Sequence, residues 1–124
     1  MTITKQGLLD LESDINDILE QDRSELRFTA HAACDRINDP RNNPAITLAE
    51  LEDIFKRFII NHLQTVLSFP EGTTFTIKCS ASAINLPCVI EHDLRFGKIW
   101  VVQNVVTVMR KKAFFSKDLH IFDV

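Results

Sequence analysis

The chain reads as one α+β domain, with N-terminal helices packed on one face of a roughly four-stranded antiparallel β-meander. Three observations predict this class. Up to Leu67 the apolar residues recur at the helical period, and from Thr73 the period falls to two. The later strand-like runs are separated by short turns, which makes a meander the simplest order. The length, 124 residues, suits one buried core and is short for two. Residues 1–26 are expected to hold an acidic amphipathic helix, and residues 27–124 a helix–helix–sheet core.

The first helix is predicted from residue 4 to about 22. Leu8, Leu11, Ile15 and Ile18 keep the i, i+3, i+4, i+7 spacing, and the opposite face is acidic. A link, "DRSELRF", follows. Thr29 is placed to cap a second, short helix through about Ile37, with Phe28 positioned as its staple. "DPRNNP" ends that helix, since a residue before proline avoids the helical region and Asn and Asp favour turns. Thr47 and Glu50 form a capping box for the third helix, and its apolar stripe runs from Leu48 to Leu67 until Pro70 stops it.

"TFTIKCS" alternates Phe75, Ile77 and Cys79 against Thr74, Thr76 and Lys78, a half-buried strand. "INLPCVIEHD" is a second strand, in which Pro87 implies an edge position or a bulge. "LRFGK" is a hairpin turn. "IWVVQNVVTVMRKK" is a long β-branched strand with a bend expected near Gln103–Asn104, and "LHIFDV" is a short final strand.

Composition narrows the function classes. Hydrophobic residues are 45% and charged residues 25%, the balance of a globular domain. No apolar run approaches the ~18 residues of a membrane span, and the N-terminus lacks the cationic and apolar regions of a signal peptide. A cytoplasmic location follows as the expectation (the host cytoplasm, if a phage encodes it). Three cysteines, an odd number, argue for reduced thiols over a disulfide framework. The net charge of -3 gives no support for broad phosphate tracking. It is unevenly spread, with -5 over residues 1–60 and +2 over residues 61–124.

His31 opens the second helix with Asp35 one turn later, so that the acid can fix the tautomer and leave the other ring nitrogen for proton transfer. An ordinary surface pair is the competing reading. Arg36 and Arg41 flank the following turn, where they either bind phosphate or sit as solvated cations at a helix C-terminus. His62 lies among apolar neighbours on the third helix, whereas Lys56 and Arg57 lie on its polar face. Cys79, Cys88 and His92 lack zinc-ligand spacing and fit better as buried small residues and a strand histidine. Arg110, Lys111 and Lys112 precede "AFFSK", a basic and aromatic strand end that either grips nucleic acid or protects a sheet edge. With three glycines in all, the glycine-rich nucleotide loops are absent, and no cofactor or metal is expected.

"FTAHAACDR" followed by "ITLAELEDIFKRF", together with "KIWVVQNVVTVMRKK", resembles the RelE/BrnT-like small endoribonuclease group, most nearly its phage RegB-like members. The resemblance covers roughly residues 27–115. It implies RNA as partner and cleavage without metal through 2′-OH attack, giving a 2′,3′-cyclic phosphate. By position it makes His31 the acid or base, Arg36 and Arg110 the phosphate-holding cations, and Lys56 or His62 the second proton-transfer or electrostatic group. The family's second histidine falls at Lys56, and Arg36 follows His31 by five residues where four is usual. A non-catalytic phage accessory protein on the same fold that binds a host protein or RNA is the alternative, with the acidic first helix as a natural partner-binding or dimer element.

Overall fold

The computed structural model describes residues 2–124. The fold is α+β. Helix α1 spans Lys5–Leu19 and ends in a 3-10 turn, Glu20–Asp22. Strand β1 is Ser24–Phe28, a π-turn covers His31–Arg36, and helix α2 is Leu48–Leu67. Strands β2 (Thr74–Cys79), β3 (Ile84–Arg95), β4 (Lys98–Val105), β5 (Met109–Arg110) and β6 (His120–Asp123) follow.

The sheet differs from the expected antiparallel meander of four strands. It has six strands and is mixed, in the order β1-β4-β3-β2-β6, with β5 paired to β3. The β2-β3-β4 meander is present, but β1 joins β4 in parallel and β6 joins β2 in parallel. "SELRF", expected as a link, is therefore an edge strand.

Its outer edge is covered by side chains of α1. Asn16 donates from Nδ2 to the Leu26 carbonyl (3.0 Å) and accepts the Leu26 amide at Oδ1 (2.7 Å). Glu12 accepts the Phe28 amide at 3.1 Å. The burial that comes with this position raises the Glu12 carboxyl above its ordinary value, against the pull of the amide. A single asparagine amide thus stands in for a missing strand. Asn16→Ala is expected to lower stability by about 1–3 kcal/mol, the cost of two orphaned backbone groups. It should also promote association through β1, which thermal unfolding and size-exclusion chromatography would register together.

Pro87 sits in a central strand, made tolerable by a bulge. Cys88 faces Val105 and Asn85 faces Met109, so three steps along β3 match four on the opposing chain. The Val106 amide donates to the Pro87 carbonyl at 2.9 Å. The return bond is impossible because proline has no N–H. The Val106 carbonyl instead accepts the Thr29 hydroxyl at 3.2 Å, while the Thr29 amide donates to Val105 at 3.1 Å. The bend expected at Gln103–Asn104 lies at this bulge, a few residues further on. Because Thr29 leads directly into the π-turn, the bulge also positions His31.

The buried stripes of α1 (Leu8, Leu11, Ile15, Leu19) and α2 (Leu51, Ile54, Phe55, Phe58) meet one face of the sheet in a single core. Phe58 stacks on Phe75 with ring centroids 5.9 Å apart, and Phe122 of β6 packs edge-on against both. Burying rings of this size contributes about 1.5–3 kcal/mol each, which explains how the short edge strand β6 is held. Part of the other face is strapped by the segment after β5. Thr76, fully buried, bonds through Oγ1 to Ser116 (2.8 Å) and Asp118 (2.7 Å).

The capping box of α2 is present in both directions. The predicted hairpin closes on Phe96 (φ 51°) and Gly97 (φ 77°), both left-handed as a two-residue turn requires. No helix among the described residues is long and apolar enough to cross a membrane.

Candidate functional site

The π-turn decides the geometry around His31. The Ile37 amide bonds to the Ala32 carbonyl five residues back, at 3.0 Å. This wider turn brings i and i+5 onto one face, where an α-helix would align i and i+4. Arg36 Nε consequently donates to His31 Nε2 at 3.0 Å. Asp35 Oδ2 lies 3.3 Å from His31 Nδ1. Since Nε2 accepts from a guanidinium, the ring proton belongs on Nδ1, facing the carboxylate. The five-residue spacing is thus what couples the two side chains.

A groove of about 560 Å³ opens over this pair. His31, Arg36, Asp39, Arg41 and Asn42 form one side, and the segment from Val106 to Lys111 forms the other. The side chains of His31 and Arg36 are 49% and 37% exposed, accessible to a ligand. Asp39 organises the rim. It takes two guanidinium nitrogens of Arg41, the nearer at 2.8 Å, and lies 3.6 Å from Arg36 Nη1. Hydrogen bonds from the Arg41 side chain and amide hold its carboxyl at about 2, from an ordinary 3.8.

A depressed carboxyl stabilises the fold fully above its ordinary value and loses that contribution as pH falls through the depressed one. The rim is therefore expected to stay intact down to about pH 4 and to open as pH approaches about 2. Carboxyl-carbon NMR shifts against pH would show this, with the Asp39 midpoint falling near 2 and an ordinary midpoint near 3.8 contradicting it.

Of the five residues to which the resemblance gives a role, three line this groove: His31, Arg36 and Arg110. The donors of Arg110, however, are engaged within the protein. Nε bonds to Pro44 O (2.7 Å), Nη1 to Ser82 O (2.7 Å), and Nη2 to Ala45 O (3.2 Å) and Glu50 Oε1 (2.7 Å). Its side chain is only 9% exposed. It acts as a clamp joining the loop before α2, the start of α2 and the β2–β3 turn. Through Arg110 and Thr47, hydrogen bonding outweighs burial and lowers the Glu50 carboxyl.

Lys56 and His62 lie elsewhere. Lys56 pairs with Glu52 on the exposed face of α2 at 2.7 Å. His62 packs against Phe122 with centroids 4.9 Å apart, its Nε2 3.2 Å from the Asp123 carbonyl. Cys79, Cys88 and His92 do not assemble. Among the described residues, no group of three or more His, Cys, Asp or Glu could hold a metal ion. Cys88 is buried, which pushes its thiol up, and His92 Nε2 lies 3.0 Å from the Phe69 carbonyl.

A second concavity, about 860 Å³, lies across Arg110 between α2 and the β2–β3 turn. It was not legible as a unit. Arg57 and Lys111–Lys112 are visible in the sequence as basic residues, but Lys78 and Asn85 are brought to them only by strand pairing.

Comparison with protein-family models, with curated proteins and with solved structures finds no match. The functional reading therefore stands on the residues and their geometry.

Proposed function

We propose that the His31–Arg36 groove cleaves single-stranded RNA without a metal, by attack of a 2′-OH on the adjacent phosphate. The coupled His31–Arg36 pair, 3.0 Å apart across the π-turn, carries the reading. At rest the guanidinium occupies the Nε2 lone pair. A phosphate entering the groove competes for Arg36, since guanidinium binds phosphate oxygens in a charge-assisted, bidentate way. Turning Arg36 onto the phosphate releases Nε2 to take the 2′-OH proton, while Asp35 steadies the resulting imidazolium from Nδ1. Arg36 then faces the charge that builds on the phosphorane, with Lys111 on the opposite wall.

No second imidazole lines the groove among the described residues, so the leaving 5′-oxygen takes its proton from solvent. That favours a slow nuclease, and it equally favours a second reading, RNA binding without cleavage. One assay separates them: protein incubated with mixed single-stranded RNA in excess chelator, followed by analysis of the product ends. The expected result is 2′,3′-cyclic phosphate ends that disappear with His31→Ala. RNA retained by the protein but left intact would establish the binding role instead.

A further inference from the structure

We propose that the cleft between α2 and the β2–β3 turn holds a flanking phosphate of the same RNA strand that enters the His31–Arg36 groove. The proposal rests on the RNA reading of that groove. Both concavities are lined by Arg110 and Lys111, so one strand can pass from the first to the second over the clamp.

The cleft is built for an anion. Five cations line it (Arg57, Lys78, Arg110, Lys111 and Lys112) against two carboxylates, Glu50 and Asp53. Both carboxylates are already paired, Glu50 with Arg110 and Asp53 with Arg57, each at 2.7 Å. Lys78, Lys111 and Lys112 have no carboxylate within ion-pair distance among the described residues. A concave surface focuses such uncompensated charge more than a convex one. The excess reaches the floor of the cleft. Burial raises the Cys79 thiol, but hydrogen bonds from Ser82 and from Arg57, whose Nη2 lies 3.6 Å from Sγ, outweigh it and leave the thiol below its ordinary value.

A second, independent feature marks the same wall. Asn85 is 1% exposed and stands opposite Lys78 across the β2–β3 ladder. Its Nδ2 donates to the Ala83 and Lys111 carbonyls, both at 3.1 Å, so turning the amide over would set oxygen against oxygen. Oδ1 has no partner, the sole such buried side-chain atom among the described residues. An acceptor left in that state is unfavourable, and a ligand donor brought against it would relieve the cost. Cations for a phosphate beside an acceptor awaiting a hydroxyl or amine match the chemistry of a ribonucleotide.

The test uses the full chain and fluorescent, cleavage-resistant 2′-O-methyl oligoribonucleotides of two and eight nucleotides, with adenosine monophosphate as competitor. Anisotropy is measured at several salt concentrations for wild type and for Lys78→Gln/Lys112→Gln, two lysines whose replacement leaves the core intact. The double variant is expected to bind the octamer about tenfold more weakly, with a salt slope lower by about one to one and a half. Dinucleotide binding should be unchanged. Octamer affinity and slope equal to wild type would overturn the proposal while leaving the groove's reading in place. Failure of wild type to bind either oligonucleotide would remove the groove's reading and the flanking site together. Competition by the mononucleotide as effective as by the octamer would show a site for a free phosphate compound, which also overturns the strand.

Discussion

Arg110→Ala is expected to lower stability by about 2–4 kcal/mol, a large share of what a domain of this size possesses. The guanidinium satisfies three carbonyls and one carboxylate, drawn from three segments. Truncation orphans all four, and breaking a fully buried ion pair alone costs about 3–5 kcal/mol. The figure is set lower because the Glu50 side chain is 31% exposed and water can solvate part of what is lost. Arg110→Lys keeps the charge but not the planar fork, and should recover less than half. Urea unfolding measures both, the midpoint falling by about 1–2 M for alanine at unchanged slope. A loss below about 1 kcal/mol would mean that the guanidinium is solvated and available to a ligand after all.

On the proposed reaction, His31→Ala is expected to reduce RNA cleavage about a hundredfold. General acid–base groups contribute about 10²–10⁴, and the lower end applies because only one imidazole faces the groove among the described residues. The pattern across variants is more informative than the single number. Arg36→Ala removes the cation at the phosphate and should raise KM as well as lower kcat. Asp35→Asn leaves the ring accepting from Arg36 but removes the charge opposite Nδ1, so its effect should fall mainly on kcat. Equal activity in all three would place the chemistry elsewhere.

How far these features can be read from sequence depends on how local their causes are. The capping box of α2 and the Phe96–Gly97 turn each lie within a few residues, and each is found as expected. The apolar side of β2 is also where its alternation puts it, but the strand is not half-buried, because the segment after β5 covers Thr76 on the other face. Strand β1 escaped because "SELRF" is short and weakly apolar. Its edge is completed by Asn16, a side chain on α1 that no strand pattern contains. The parallel placement of β6 depends on Phe122 reaching Phe58 and Phe75, contacts between residues far apart in the chain. Arg110 appears in sequence as a basic strand end. Its acceptors lie 28 to 66 residues away, so its service as a clamp is invisible without the fold. The five-residue offset of Arg36 from His31 looks like a defect at helical periodicity. The π-turn, which follows closely on Thr29 where it bonds to the bulge opposite Pro87, turns that offset into a direct contact.

The most direct measurement of the central claim is long-range proton–nitrogen correlation of the four histidine rings, with and without a cleavage-resistant oligoribonucleotide. In the unliganded protein, the account predicts the Nδ1-protonated tautomer for His31, with Nε2 accepting from Arg36. On RNA addition the His31 Nε2 resonance should move as Arg36 turns to the phosphate, while His62, packed on Phe122, stays in place. An Nε2-protonated His31 at rest, or a His31 ring unmoved when RNA saturates the protein, would contradict it.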